Sequence, residues 1–332
     1  MPSLQPEEVL FDALPNRAVL PVCDHYAGNP KFYEKALAVR QGLGPVLDIT
    51  LDLEDGAKVG EEAQAASWAQ EQLQSFSWDG RGLGVRIHPV DHPAFKDDLN
   101  TLLASPSKQL SYLMLPKAGA AEDVQHAIFE IEYRCQQNGW ETPPPLHVLI
   151  ETPGAVLDVE KIAGLMRVQS LSFGVMDFVS HFNGAIADDA MKSPRQFEHP
   201  ILVNARVGIS MACHRFGKVP SHNVCTQFKD LQAVTADAQR ARRDFGFLRM
   251  WSIHPAQIEP ILSAFAPGNA ELAQAAEILL KAQDNNWGPI EFEGVLHDRA
   301  SLRYYWGVLK QARLTGTALP AGTHGWFAKS TS

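Results

Sequence analysis

The sequence predicts a closed (β/α)₈ barrel, a TIM barrel, with a C-terminal helical lid extension. Eight short apolar runs alternate with stretches of helical periodicity over about 250 residues, the usual span of such a barrel. Strict β–α alternation implies a parallel sheet. Several runs also stop at a charged residue, and barrels of this kind build their sites at the carboxyl ends of their strands. An open doubly wound sheet is the alternative. No G-x-G-x-x-G follows the first run and no G-x-x-x-x-G-K-[ST] occurs, so the nucleotide-binding forms of that fold lose support.

The first run is Ala18 to Cys23, with a helix near Pro30 to Gln41. The second is Val46 to Leu53, then a helix from Glu61 to Gln74. Gly84 to Ile87 and a helix from Pro93 to Leu103 make the third unit, and Tyr112 to Leu115 with Ala121 to Gln136 the fourth. The fifth run, Leu146 to Ile150, stops at Glu151-Thr152-Pro153, and a helix-like stretch from Ala155 to Met166 follows. The sixth runs from Val168 to Asp177, giving two neighbouring strands that each end at a carboxylate. A long loop rich in Ala, Asp, Ser and Pro then leads to a helix from Leu202 to Phe216. Lys218 to Cys225 and Leu248 to Ile253 are the seventh and eighth runs, with helices from Lys229 to Phe245 and from Ala256. The barrel is therefore assigned to residues 1–267. Residues 268–332, with helices near Glu271 to Asp284 and Ala300 to Arg313, read as an extension too small for an independent domain.

The composition, 45% hydrophobic and 20% charged, suits a globular protein with a sizeable core. A net charge of −9 argues against nucleic acid as the main partner. The one dense basic group, Arg240-Ala241-Arg242-Arg243, reads as the polar face of a helix. The cysteines Cys23, Cys135, Cys213 and Cys225 have no C-x-x-C spacing and fit reduced, buried thiols. Met1 to Glu8 is acidic and lacks the basic start and apolar core of a secretory signal. No stretch approaches the length of a membrane span. A cytoplasmic placement with no membrane partner is the expectation.

Glu151 and Asp177, converging at one end of the barrel, are oxygen ligands suited to Mg²⁺ or Mn²⁺. Asp52-Leu53-Glu54-Asp55 sets three acids in four residues, either a solvated turn or a group that orients a basic partner or a metal-bound water. Strand alternation sets Arg86 opposite Val85 and Ile87, where its planar fork would clamp a carboxylate. Lys117 ends the fourth strand, and beside a metal site a charge-balancing role is favoured over a Schiff base. His254 reads equally as a helix cap or a substrate contact.

These pieces, in this order, resemble the citrate lyase β-subunit family, which includes the malyl-CoA and citramalyl-CoA lyases and the HpcH/HpaI aldolases. The resemblance rests on Asp52-Leu53-Glu54-Asp55, Val85-Arg86-Ile87, Leu115-Pro116-Lys117, Ile150-Glu151-Thr152-Pro153, Phe173-Gly174-Val175-Met176-Asp177, Ala205-Arg206 and Ile253-His254-Pro255-Ala256-Gln257-Ile258. It implies that Glu151 and Asp177 hold Mg²⁺, that Arg86 grips a carboxylate or enolate, and that Glu54 and Asp55 support them. Thr152 and Pro153 would face the substrate, and Lys35 and His254 a CoA thioester. Glu293 to Arg303 is similar to the lid segment of the CoA-thioester lyases, with Asp298 as the lid acid over a neighbouring subunit's site. The resemblance implies carbon–carbon cleavage of a hydroxyacyl-CoA to a 2-keto acid and an acyl-CoA, in a homotrimer or homohexamer. Asn29 stands where relatives have an Arg, and His25-Tyr26 where they have Pro-Gly. That departure favours a CoA-independent aldolase on free hydroxy-keto acids, which the Asp298 lid opposes; a non-catalytic acid-binding or regulatory member is a second alternative, opposed by Glu151, Asp177 and Arg86.

Overall fold

Eight parallel strands close into a barrel in sequence order, β1 (Cys23–Ala27), β2 (Leu47–Asp52), β3 (Leu83–Arg86), β4 (Leu110–Leu115), β5 (Leu146–Ile150), β6 (Val168–Phe173), β7 (Val219–His222) and β8 (Arg249–Ser252). The structure is a computed structural model and describes residues 5–11, 18–56, 60–75 and 82–327. Met1 to Leu4, part of the acidic N-terminal stretch, lie outside the described residues. β1 pairs with both β2 and β8, which closes the sheet. Helices Pro30–Leu43, Glu62–Ser75, Phe95–Leu102, Ala121–Gln137, Pro200–Arg215 and Leu231–Phe245 connect the strands. Local chemistry fixes their starts. The Asn29 side chain accepts from Phe32 N–H ahead of Pro30, and the Asp230 side chain accepts from Gln232 and Ala233 N–H.

Alternate residues of the strands point inward and pack the interior in layers. One layer is an ion cluster. Arg249 Nη2 lies 2.8 Å from Asp24 Oδ2 and Nη1 2.5 Å from Asp48 Oδ2, all three side chains being buried. Thr50 and Tyr112 donate to Asp24 Oδ1 at 2.7 and 3.1 Å, so these buried charges are paired and hydrogen-bonded, as burial demands. Gly84 on β3 makes room for Tyr112, because a Cβ there would lie 2.2 Å from its ring. Above this layer Tyr26, Met114, Leu149, Val224 and Trp251 form an apolar plug, with Tyr26 and Trp251 stacked at 4.8 Å.

Four details depart from the sequence reading. β1 starts at Cys23 rather than ending there, because its inward residues are the polar Asp24 and the aromatic Tyr26, not a hydrophobic run. The sixth run ends as a strand at Phe173, and Asp177 sits in the first turn of a helix, Val175–Ser180. The stretch after β5 is two short helices, Pro153–Leu157 and Val159–Gly164. The long loop after Asp177 holds two 3₁₀ turns, Asp188–Met191 and Arg195–Phe197.

Among the described residues the chain divides into two compact units, 18–262 and 5–11 together with 263–327. The second has a core of its own, built from Leu272, Ile278 and Leu279 of the helix Asn269–Asp284, Leu302, Trp306 and Leu309 of the helix Arg299–Leu314, and Leu10 of the helix Pro6–Leu10. Arg303 Nε donates to Leu10 O at 2.6 Å, and Glu7 accepts from Trp306 Nε1, tying the N-terminal helix in place. An antiparallel hairpin, Ile290–Phe292 with Val295–His297, connects the two long helices. The four cysteines are free and buried, and no described helix is long and apolar enough to cross a membrane.

Candidate active site

The charged strand ends meet at the carboxyl side of the barrel. Asp52 and Arg86 are register partners at the ends of β2 and β3. Their side chains form a bidentate pair, Arg86 Nε to Asp52 Oδ1 at 2.6 Å and Nη2 to Oδ2 at 2.7 Å. The remaining nitrogen, Nη1, lies 3.2 Å from Glu54 Oε2 and 3.9 Å from Asp55 Oδ2. The guanidinium sits over the Tyr26 ring, 5.3 Å from its centroid. Burial opposes the Arg86 charge, but Asp52 outweighs it and the group stays protonated. Arg86 therefore reaches the site with Nε and Nη2 committed to Asp52, and with Nη1 facing Glu54 as the nitrogen that an incoming oxygen would share.

Lys117, two residues past β4, takes a left-handed backbone conformation with φ 51°, which a side chain other than glycine adopts only under constraint. The constraint is visible. Lys117 N–H donates to Glu151 Oε1 at 2.7 Å, while Nζ donates to Glu54 and, at 3.2 Å, to Asp55 Oδ1, and lies 4.0 Å from Asp177 Oδ1. Burial disfavours the ammonium, but Glu54 and Asp55 outweigh it and raise the Lys117 pKa. A held ammonium is not nucleophilic, which agrees with charge balancing and not with a Schiff base.

Glu151 follows β5 and is 1% exposed. Burial, and then the Asp177 charge, push its carboxyl up from 4.5 to about 8. Gly174, the residue before the helix carrying Asp177, leaves space for it, since a Cβ there would lie 2.2 Å from Glu151 Oε2. Asp177 is partly open, with 36% of its side chain exposed. No group of three or more His, Cys, Asp or Glu converges as a metal cage among the described residues. Two carboxylates, one of them buried with its pKa raised despite the Lys117 N–H bond, instead fit a Mg²⁺ ion, which binds through one or two protein carboxylates and keeps its other positions for water and substrate oxygens.

The other residues singled out in the sequence are placed as follows. Thr152 donates to Ala118 O at 2.7 Å and accepts from Ala155 N–H at 3.0 Å, so its hydroxyl ties one loop to another and caps the helix that Pro153 begins. His254 caps a 3₁₀ turn, with Nδ1 accepting from Ala256 N–H at 3.2 Å. Lys35 is exposed on the helix Pro30–Leu43. Asp298 belongs to the terminal unit, and its Oδ1 accepts from Ala300 and Ser301 N–H at 2.9 and 3.2 Å as the cap of the helix Arg299–Leu314. A cleft of about 380 Å³ opens beside the charged cluster, lined among others by Glu54, Asp55, Glu62, His88, His92 and Lys117.

Sequence reasoning gave no separate role to Asp52, Tyr26, Gly174 or His88. The first could have been found, because Asp52 and Arg86 end adjacent strands. The others depend on tertiary proximity that carries no local signal.

Several known proteins are similar to this chain. A model of the HpcH/HpaI aldolase/citrate lyase family matches residues 46–255. The L-malyl-CoA/beta-methylmalyl-CoA lyase of Rhodobacter capsulatus is 29% identical over 278 residues, covering 80% of this chain and 87% of that protein. A crystal structure of a citrate lyase from Burkholderia xenovorans LB400 superposes with a TM-score of 0.84 at 50% identity, covering 98% of this chain and all of that one. The CitE protein of Mycobacterium tuberculosis, solved with magnesium, acetoacetate and coenzyme A, shares the fold with a TM-score of 0.69 at 21% identity, over 89% of this chain and 99% of its own.

Proposed function

The chain belongs to the HpcH/HpaI aldolase/citrate lyase family, and on that footing we propose that it is a Mg²⁺-dependent carbon–carbon lyase that cleaves a hydroxyacyl-CoA of the malyl-CoA or citramalyl-CoA type. The products would be a 2-keto acid and an acyl-CoA. The observation that carries the reading is the buried Glu151 carboxylate, held in place by Lys117 N–H with Asp177 nearby and Arg86 beside it. A buried acid displaced so far from its ordinary range is costly unless a cation shares the site. Mg²⁺ held by Glu151 and Asp177 would supply electrophilic stabilisation of charge on the keto-acid oxygen.

This chain's residues do the rest. Arg86, fixed by Asp52, offers Nη1, which it shares with Glu54, to the substrate carboxylate or the enolate oxygen, a donor already aimed where charge develops. Lys117 balances the acids and keeps the Glu151 carboxylate aimed. Asp298, on the terminal unit, is the proton donor to the enolate carbon, supplied across a subunit boundary in a homotrimer or homohexamer.

One observation favours a second reading. Asn29, where the resemblance places a CoA-binding Arg in relatives, spends its side chain capping its own helix, so that Arg contact is missing. A CoA-independent aldolase acting on free hydroxy-keto acids would not need it. Calorimetry with acetyl-CoA, in the presence of Mg²⁺ and glyoxylate or pyruvate, separates the two. Micromolar binding that is lost in Glu151→Ala supports the acyl-CoA lyase. Keto acid held by Mg²⁺ with no acetyl-CoA binding moves the assignment to the aldolase.

A further inference from the structure

His88 and Asp98 form a pair that the reaction above does not use. His88 follows β3 in Arg86-Ile87-His88-Pro89 and is 5% exposed, and Asp98, in the helix Phe95–Leu102, is 1% exposed. Asp98 Oδ2 accepts from the His88 backbone N–H at 2.9 Å and pairs with His88 Nδ1 at 2.7 Å. A carboxylate only accepts, so the hydrogen sits on Nδ1 and the neutral ring presents Nε2 as a lone pair. Nε2 makes no hydrogen bond among the described residues, and His88 lines the cleft beside Glu54 and Lys117. His92 stacks on the ring at 4.3 Å and 14°, so one edge and one face of the imidazole are held. Burial works against its charge, but the Asp98 hydrogen bond and charge outweigh burial and raise its pKa.

The charge of the cleft decides what such a ring can do. Glu54 and Asp55 face it from the loop after β2, Glu62 from the start of the next helix, and Asp91 and His92 from its own loop. Lys117 is the cation on that wall, and Glu54 and Asp55 already engage it. An anionic group docking on His88 would meet net negative charge, whereas a proton arriving on Nε2 would be stabilised. Asp52 accepts two Arg86 bonds and Glu54, although burial raises its carboxyl, is shared between Arg86 and Lys117, so neither is free to turn toward a substrate hydroxyl.

Resting on the lyase reading, we propose that His88 accepts the hydroxyl proton of the substrate as the carbon–carbon bond breaks, with Asp98 as its positioning residue. The O–H pair becomes the second bond of the keto-acid carbonyl, and the carbon–carbon pair leaves on the acyl-CoA as its enolate. The proton ends on His88 Nε2 and returns to solvent, while the enolate carbon is protonated separately by Asp298.

The test uses the full chain with Mg²⁺. His88→Gln should lower kcat by about 10² or more, while KM and Mg²⁺-dependent keto-acid binding change less than about threefold. Asp98→Asn removes the charge that raises the His88 pKa, so the acid limb of the kcat/KM profile should move to lower pH and disappear in His88→Gln. If His88→Gln fails to fold, the Asp98→Asn limb shift decides. A kcat within threefold of wild type in His88→Gln, or an unmoved limb in Asp98→Asn, overturns the assignment. If the wild-type chain cleaves no hydroxyacyl-CoA, the lyase reading fails by itself. The His88 C2-proton titration by NMR then judges the pair, since its midpoint should shift on adding Mg²⁺ with oxaloacetate, and an unshifted midpoint overturns the proposal.

Discussion

Replacing Glu151 by Gln should stabilise the metal-free protein while abolishing its response to Mg²⁺. Burial and the Asp177 charge raise this carboxyl from 4.5 to about 8. The sign follows from proton linkage. Below about pH 4.5 folded and unfolded chains both hold the proton and the group costs nothing. As pH rises toward 8 the unfolded chain releases its proton first, so stability falls, and above 8 the full cost is present. At about 1.4 kcal/mol per pH unit, the cost at full ionisation is about 5 kcal/mol. The amide introduced by Glu151→Gln would keep the acceptor for Lys117 N–H and carry no charge. Urea unfolding in EDTA should therefore show the variant's advantage over wild type growing by about 3 kcal/mol between pH 5.5 and pH 8.5. Adding Mg²⁺ should reverse the order, because the cation pairs with the ionised Glu151 and finds no charged ligand in the amide. A Glu151→Gln variant less stable than wild type in EDTA at pH 8.5, or a wild-type stability flat with pH, would refute the reasoning.

Gly174→Ala should cost Mg²⁺ affinity about tenfold or more, because its Cβ would lie 2.2 Å from Glu151 Oε2; calorimetric titration of Mg²⁺ with oxaloacetate checks this, and unchanged affinity speaks against Glu151 as a ligand. Arg86→Lys cannot keep both bonds to Asp52 while reaching outward, so kcat/KM should fall by about 10² or more with Mg²⁺ affinity intact, read in steady-state kinetics. Asp298→Asn preserves a good helix cap, so the melting temperature should hold while turnover falls by about 10² or more; normal turnover would remove Asp298 from the reaction.

The barrel was legible because most of its strands are buried on both faces and read as short continuous apolar runs between helical periods. Reading failed where the interior itself is polar. β1 carries Asp24 into the barrel interior to meet Arg249 and buries His25 on its other face against Ser252, so its hydrophobic signature lies in the segment before it. Asp177 lies four residues past the strand end at Phe173, since Val175 and Met176 continue an apolar run that the backbone has already turned into helix. The N-terminal helix contributes Leu10 to the C-terminal core across nearly the whole chain, a pairing that local pattern cannot report. At the site, Glu151 and Arg86 stood out because charges among apolar neighbours are costly without a purpose. The Asp98 partnership with His88 was hidden, because an acid in the first turn of a helix already has a sufficient reason to be there.

The central claim, metal-dependent carbon–carbon cleavage at the Glu151–Asp177 pair, is tested most directly by incubating the protein with malyl-CoA or citramalyl-CoA and measuring keto acid and free acyl-CoA together. The account predicts equal release of the two products, dependent on Mg²⁺, abolished by EDTA and absent in Glu151→Gln. Release that proceeds in EDTA, or that survives in Glu151→Gln, would contradict it.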